Sequence, residues 1–199
     1  MLDTHVGLRC PSLMQQNTDL PAGLRIEKLA DLPPAEHPIE TLDRIFFEAS
    51  TVKTFASPEA KAEFRERWLG RYLTQDLAHC FITRTEAGET IGYVIGSIDD
   101  PAKTPRFADV GYFPLIAPLT SRYPAHLHIN LAPAWRSRGI GRVMIDVFKA
   151  HAAAHGRKGL HVVTGFGVRN VGFYLRNGFR ETARFEWQSR PLVMLSTPL

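Results

Sequence analysis

The sequence predicts an α/β chain, in which strands and helices alternate along one sheet-forming domain. Three observations carry this. Leu127, Ile129 and Leu131 alternate with His126, His128 and Asn130, the two-residue period of a strand with two different faces. Directly after it, Ile140, Met144, Val147, Phe148 and His151 recur at three- and four-residue steps, the period of an amphipathic helix. Upstream, two apolar runs flank Glu86-Ala87-Gly88, a hairpin turn with glycine where positive φ is needed.

The elements follow in order. Residues 1–22 mix polar residues with Pro11 and Pro21 and show no period, so a loosely ordered arm is expected, with the domain occupying 23–199. Residues 24–29 alternate as a first strand. Pro33, Pro34 and Pro38 mark a loop, and Leu42, Ile45, Phe46 and Ala49 place a helix over about 39–50. Ser57-Pro58-Glu59 combines a capping hydroxyl, proline at the first helical position and an acid in the first turn. Phe64, Trp68 and Tyr72 then line a helix over about 58–73, where core packing is the plain expectation.

The hairpin strands span about 77–85 and 89–98, with Gly92 and Gly96 marking a bulge or a close backbone approach. Residues 101–124 read as a long proline-rich connection carrying Phe107, Tyr112, Phe113, Leu115 and Ile116. A segment this apolar is expected to fold over a ligand site or to form a subunit contact, so a homodimer is one expectation. The central strand leads to a helix over about 137–155, a buried strand at 160–164, a helix at 168–177 and a terminal strand pair at 179–186 and 192–196.

Composition narrows the function classes. The chain has 199 residues, 44% of them hydrophobic, and a formal charge of +4, in keeping with one full hydrophobic core. The basic excess is local: Arg136, Arg138, Arg142, Lys149, Arg157 and Lys158 face one acid, Asp146. That field suits an anionic small ligand. Nucleic acid is the poorer partner, because no long basic run is interleaved with aromatics. Cys10 and Cys80 make no disulfide framework, the opening residues lack the apolar core of a signal peptide, and no apolar run is long enough to span a membrane. A cytoplasmic protein is expected. No metal site is expected either: His126-x-His128 lacks a third ligand, and His151/His155 lack the glutamate of the zinc helix motif.

The chemistry concentrates at the junction Arg136-Ser137-Arg138-Gly139-Ile140-Gly141-Arg142. The first N–H groups of a helix lack internal partners and its dipole makes that end positive. With two glycines and three arginines there, the turn is suited to phosphate or pyrophosphate. The spacing matches neither the nucleoside-triphosphate loop nor the dinucleotide fingerprint.

Arg136, Gly139 and Gly141 instead fill the [Gln/Arg]-x-x-Gly-x-[Gly/Ala] pattern, and Tyr174 to Gly178 and Phe179 fill Tyr-x-x-x-Gly-Phe. Together these blocks resemble the GNAT superfamily of acetyl-CoA-dependent N-acetyltransferases. Within it, Tyr-Pro-Ala-His-Leu-His-Ile-Asn-Leu at residues 123–131 resembles the acetyltransferase-like domains found beside O-GlcNAc hydrolases.

The resemblance implies an α+β fold, with a mixed, mostly antiparallel sheet of about seven strands and about four helices, splayed between strands four and five. It implies acetyl-CoA in that gap, with cofactor contacts from Asn130, Leu131, Ala132, Arg136, Ser137, Arg138, Gly139, Ile140, Gly141, Arg142, Asn170 and Tyr174. It implies that an amine of a small-molecule acceptor attacks the thioester directly while Tyr174 protonates the departing thiolate. Two positions depart from the pattern: Gly167 stands where the family carries asparagine, and the fourth strand has no glutamate to serve as base. His128 and His126 are then the candidate bases, with Asp99 and Asp100 as weaker ones; a hydrogen-bonded core pair is the other reading of the two histidines. The alternative function is a CoA-binding module without transfer activity.

Overall fold

The computed structural model describes residues 20–199. Most of the arm expected over residues 1–22 thus lies outside the described residues, and so does Cys10; Leu20, within them, is buried against the core.

Seven strands form one sheet in the order β1-β2-β3-β4-β5-β7-β6. They are β1 (Leu24–Lys28), β2 (Phe81–Thr85), β3 (Thr90–Ser97), β4 (Ala125–Leu131), β5 (Gly159–Gly165), β6 (Arg180–Trp187) and β7 (Arg190–Pro198). Every neighbouring pair is antiparallel except β4 and β5, which run parallel and pair only at Ala125–Leu160 and His126–His161. Beyond His126 the two strands part, so the expected splay is present. It opens a gap in the sheet lined on one side by His128 to Leu131.

The described residues form five helices, one more than expected: α1 (Ile39–Ala49), α2 (58–75), α3 (Ala117–Thr120), α4 (Ile140–Ala154) and α5 (Asn170–Arg176). The fifth is α3, inside the segment read as a connection. Prolines 101, 105, 114 and 118 erase any helical period there, yet the segment winds through two 3-10 turns and buries Phe107, Val110, Tyr112, Phe113 and Ile116. It is a layer of the core.

Ser57 caps α2 by accepting from the Ala60 N–H at 3.2 Å, as Ser57-Pro58-Glu59 predicts. The helix then passes through a π segment, Glu66–Gly70, before closing at Arg71–Gln75. On the sheet face that carries Leu127, α4 buries Ile140, Val143, Met144, Val147 and Phe148, each contributing roughly 1.5–3 kcal/mol by burial. The opposite face carries His126 and His128 and is covered by α1, α2 and the 101–124 layer. At the far edge, Gln188 and Ser189 both have positive φ and turn β6 into β7. The strand pair was legible in the sequence; the two-residue turn, lacking its usual glycine, was not.

Gly96 explains itself once β3 and β4 are paired. A Cβ there would collide with the His126 carbonyl and the Phe148 ring. Gly96→Ala is therefore expected to destabilise the fold by about 3 kcal/mol, as overpacking of a close backbone approach does. Urea unfolding reads this directly, and an unchanged midpoint would show that β3 and β4 can separate without cost.

Candidate active site

Three groups of residues border the gap between β4 and β5. The first is the turn from Arg136 to Arg142. After β4, a 3-10 turn at Pro133–Trp135 reverses the chain, and Ser137 and Gly139 take left-handed φ of 61° and 80° before α4 begins. Backbone in this region costs of order 1 kcal/mol or more for a residue with a side chain, and such strain gathers at ligand-binding turns. A Cβ on Gly139 would meet nothing within 4 Å, so the space beside it is open. Gly141 differs: a Cβ there would stand 3.1 Å from Phe173 Cζ and 3.6 Å from Leu131 Cδ1. Gly141 thus lets α5 pack on α4, while Gly139 makes the turn.

The arginines are placed unequally. Arg136 Nε donates to the Leu131 carbonyl at 2.9 Å, tying the turn to the end of β4. The Arg138 guanidinium lies 5.1 Å over the Trp135 ring. Arg142 is 3.7 Å from Asp146 on the exposed surface, a pair worth little in energy. Ile140 is buried as the first residue of α4. The Ala132 N–H donates to the Ile91 carbonyl, so the strand alternation turns the N–H groups of Ile129 and Leu131 away from β3 and toward the gap. The Asn130 side chain donates to the Tyr93 hydroxyl at 2.7 Å.

The second group is α5. Tyr174 is buried between Phe173 and Phe179, with ring centroids 5.3 and 5.4 Å away. Burial pushes its phenol above the usual range, so it carries its proton at neutral pH. Its hydroxyl makes no hydrogen bond among the described residues. Asn170 opens α5 and accepts from the Thr164 hydroxyl at 3.0 Å. Gly167 has φ of 78°, a conformation that suits glycine in the turn before α5.

The third group is the histidine pair. His126 and His128 share the face of β4 opposite α4, and the Tyr72 hydroxyl sits between them, 3.1 Å from each Nε2. His126 is 4% exposed and Tyr72 2%, while His128 keeps part of its surface open. Trp68 stands edge-on to His128 at 5.7 Å and stacks with Tyr112. Phe107 and Phe113 close over His126, and the His161 ring lies 5.5 Å from it. Burial depresses all three histidines, and neighbouring imidazoles add to it at His126 and His128; His128 and His161 are pushed down to about 4 and His126 well below its usual value. At neutral pH all three are uncharged, as a proton acceptor must be.

The structure thus joins His126 to His128, and it links the Arg136–Arg142 turn to the α5 block through Leu131, Gly141 and Phe173. It places the two sets on opposite sheet faces, with the gap between them. Tyr72 as the partner of both histidines had no local signal, because 54 and 56 residues separate it from them. Asp99 and Asp100 lie elsewhere: Asp99 binds Arg106, and Asp100 accepts from Ser121 and the Ala102 N–H. Among the described residues no group of histidines, cysteines and acids is arranged to hold a metal ion, and no helix is long and apolar enough to cross a membrane.

Known structures share this architecture. The crystal structure of the protein named SsHAT superposes with a TM-score of 0.68 at 23% identity, covering 88% of this chain and 98% of that one. A GCN5-related N-acetyltransferase from Kribbella flavida does so with a TM-score of 0.61 at 15% identity, over 90% and 100% of the two chains. A GNAT superfamily phosphinothricin acetyltransferase from Sinorhizobium meliloti, in complex with acetyl-CoA, gives 0.56 at 15% identity over 89% of each. At these identities the likeness is one of fold. Residues 76–181, more than half of the chain, match the acetyltransferase (GNAT) domain, and the chain belongs to the GNAT acetyltransferase family.

Proposed function

We propose that this chain is an acetyl-CoA-dependent N-acetyltransferase acting on an amine of a small-molecule acceptor. The observation that carries the reading is the gap between β4 and β5, flanked by an open, positively charged helix start on one side and an uncharged histidine pair on the other.

The residues fit the donor. The left-handed turn at Ser137 and Gly139 and the first N–H groups of α4, which no side chain caps, suit its pyrophosphate, with Arg138 and Arg142 adding positive charge. The N–H groups of Ile129 and Leu131 suit the pantetheine amides as an added strand edge. The acceptor amine attacks the thioester carbon and forms the new C–N bond, His128 takes the amine proton, the C–S bond breaks, and Tyr174 gives its proton to the thiolate. A small amine acceptor and an acetyl-CoA donor are in keeping with the Sinorhizobium meliloti neighbour, named a phosphinothricin acetyltransferase and bound to acetyl-CoA. The narrower resemblance to the acetyltransferase-like domains beside O-GlcNAc hydrolases rests mainly on residues 123–131.

Calorimetric titration with acetyl-CoA, run beside thiol release over an amine panel, tests the reading. Wild type should bind, and Gly139→Val should bind at least 10-fold more weakly, since a branched side chain is strained at this φ and fills the open space. Binding without thiol release would favour the CoA-binding module instead. No binding at all would overturn the assignment of the Arg136–Arg142 turn.

A further inference from the structure

We infer that Tyr72 is a positioning residue that fixes the protons of the two β4 histidines, so that His128 presents a bare Nδ1 as the proton acceptor. This rests on the reading of His128 as base.

The argument is one of counting protons. Tyr72 has one O–H to give, and it lies 3.1 Å from His126 Nε2 and 3.1 Å from His128 Nε2. It therefore donates to one ring and accepts from the other. His126 decides which. Its Nδ1 is sealed from solvent with no formed hydrogen bond, and the backbone group acting on that histidine is the Pro124 carbonyl. A carbonyl only accepts, so Nδ1 carries the hydrogen and Nε2 is bare. Tyr72 then spends its proton on His126 Nε2. Its oxygen is left to accept from His128, whose Nε2 must carry the hydrogen, and a neutral His128 with Nε2–H has a free lone pair on Nδ1. The opposite arrangement would aim a lone pair of His126 at the Pro124 oxygen and leave His128 a donor instead of a base.

The surroundings keep this pattern. His161, facing the pair from β5, has its own proton committed to the Tyr123 carbonyl. From α2, Arg71 is engaged by Asp109, and from the 101–124 layer Arg106 is engaged by Asp76 and Asp99. No unpaired charge among these faces the trio. Burial holds the Tyr72 phenol protonated. His128 Nδ1 has no partner among the described residues and is absent from the nitrogens sealed in this cluster, His126 Nδ1 and His161 Nε2. When it takes a proton, the resulting imidazolium keeps Tyr72 as acceptor for its Nε2–H, which stabilises the charge.

The test is 15N NMR of the intact protein labelled at histidine, combined with steady-state kinetics of Tyr72→Phe. Wild type should show His126 as the Nδ1–H tautomer and His128 as the Nε2–H tautomer. The reverse assignment, or a mixture at either ring, overturns the inference. In Tyr72→Phe the His128 tautomers should mix, and kcat should fall about 10-fold with both KM values within 2-fold of wild type. An unchanged kcat, or a loss carried in KM alone, also overturns it. The wild-type spectrum decides the proton pattern even if Tyr72→Phe fails to fold. If wild type releases no thiol with any amine, the expected tautomers leave Tyr72 as the residue that orders the histidines and remove only the base role.

Discussion

Tyr174→Phe will lower turnover by about 100-fold while leaving acetyl-CoA affinity and thermal stability close to wild type. The rate figure is what a positioned proton donor contributes to a step in which a leaving group must be neutralised. The unchanged stability follows from the packing. Tyr174 is held by Phe173 and Phe179 through its ring, and its hydroxyl makes no hydrogen bond among the described residues. Removing that oxygen therefore leaves no partner stranded, and phenylalanine keeps the ring contacts. Thiol release gives kcat, calorimetry gives the acetyl-CoA affinity, and a melting curve gives stability. A variant that turns over at the wild-type rate would remove Tyr174 from the chemistry. A variant that loses binding as well would make it a wall of the cofactor site instead of an acid.

Much of this site was legible before any coordinates. The strand at β4 declares itself because its faces differ in kind: Leu127, Ile129 and Leu131 pack toward α4, while His126 and His128 pack toward α2. The turn before α4 declares itself because a helix start with glycines and arginines is a dense local signal. What stayed hidden depends on residues far apart in the chain. Nothing near Tyr72 marks it as the partner of two histidines, and a stripe of Phe64, Trp68 and Tyr72 reads as plain core. Part of that reading holds, since Phe64 packs with Phe46 and Phe55. The 101–124 layer stayed hidden for another reason. Its prolines break every period, so its burial is carried by tertiary contacts with Trp68, Tyr72 and His126 that have no local pattern. Gly141 shows the converse, a motif position whose glycine serves helix packing.

The same burial that keeps the histidines ready to accept a proton makes the fold acid-sensitive at unusually mild pH. His128 and His161 are pushed down to about 4 and His126 well below its usual value, against about 6.5 in an unfolded chain. A depressed folded value means that the unfolded chain takes up protons first as pH falls. Stability is then complete above pH 6.5 and is lost on descent from 6.5 toward 4. Each histidine protonated only in the unfolded chain contributes about 1.4 kcal/mol per pH unit, so three of them give a slope of about 4 kcal/mol per unit. A second cluster adds to it: His79 and His151 share a 2.8 Å hydrogen bond beside His155, and burial depresses both. Since domains of this size are stable by only about 5–15 kcal/mol, unfolding should set in between pH 4 and 5.5. Carboxylates act later. Asp109 is held below its usual range by Arg71 and Arg67, so its contribution disappears only below about pH 4. Urea midpoints at pH 7, 6, 5 and 4.5 should fall steeply while the denaturant slope stays constant. A midpoint flat down to pH 4 would mean that the histidines titrate alike in the folded and the unfolded chain, so that burial does not depress them.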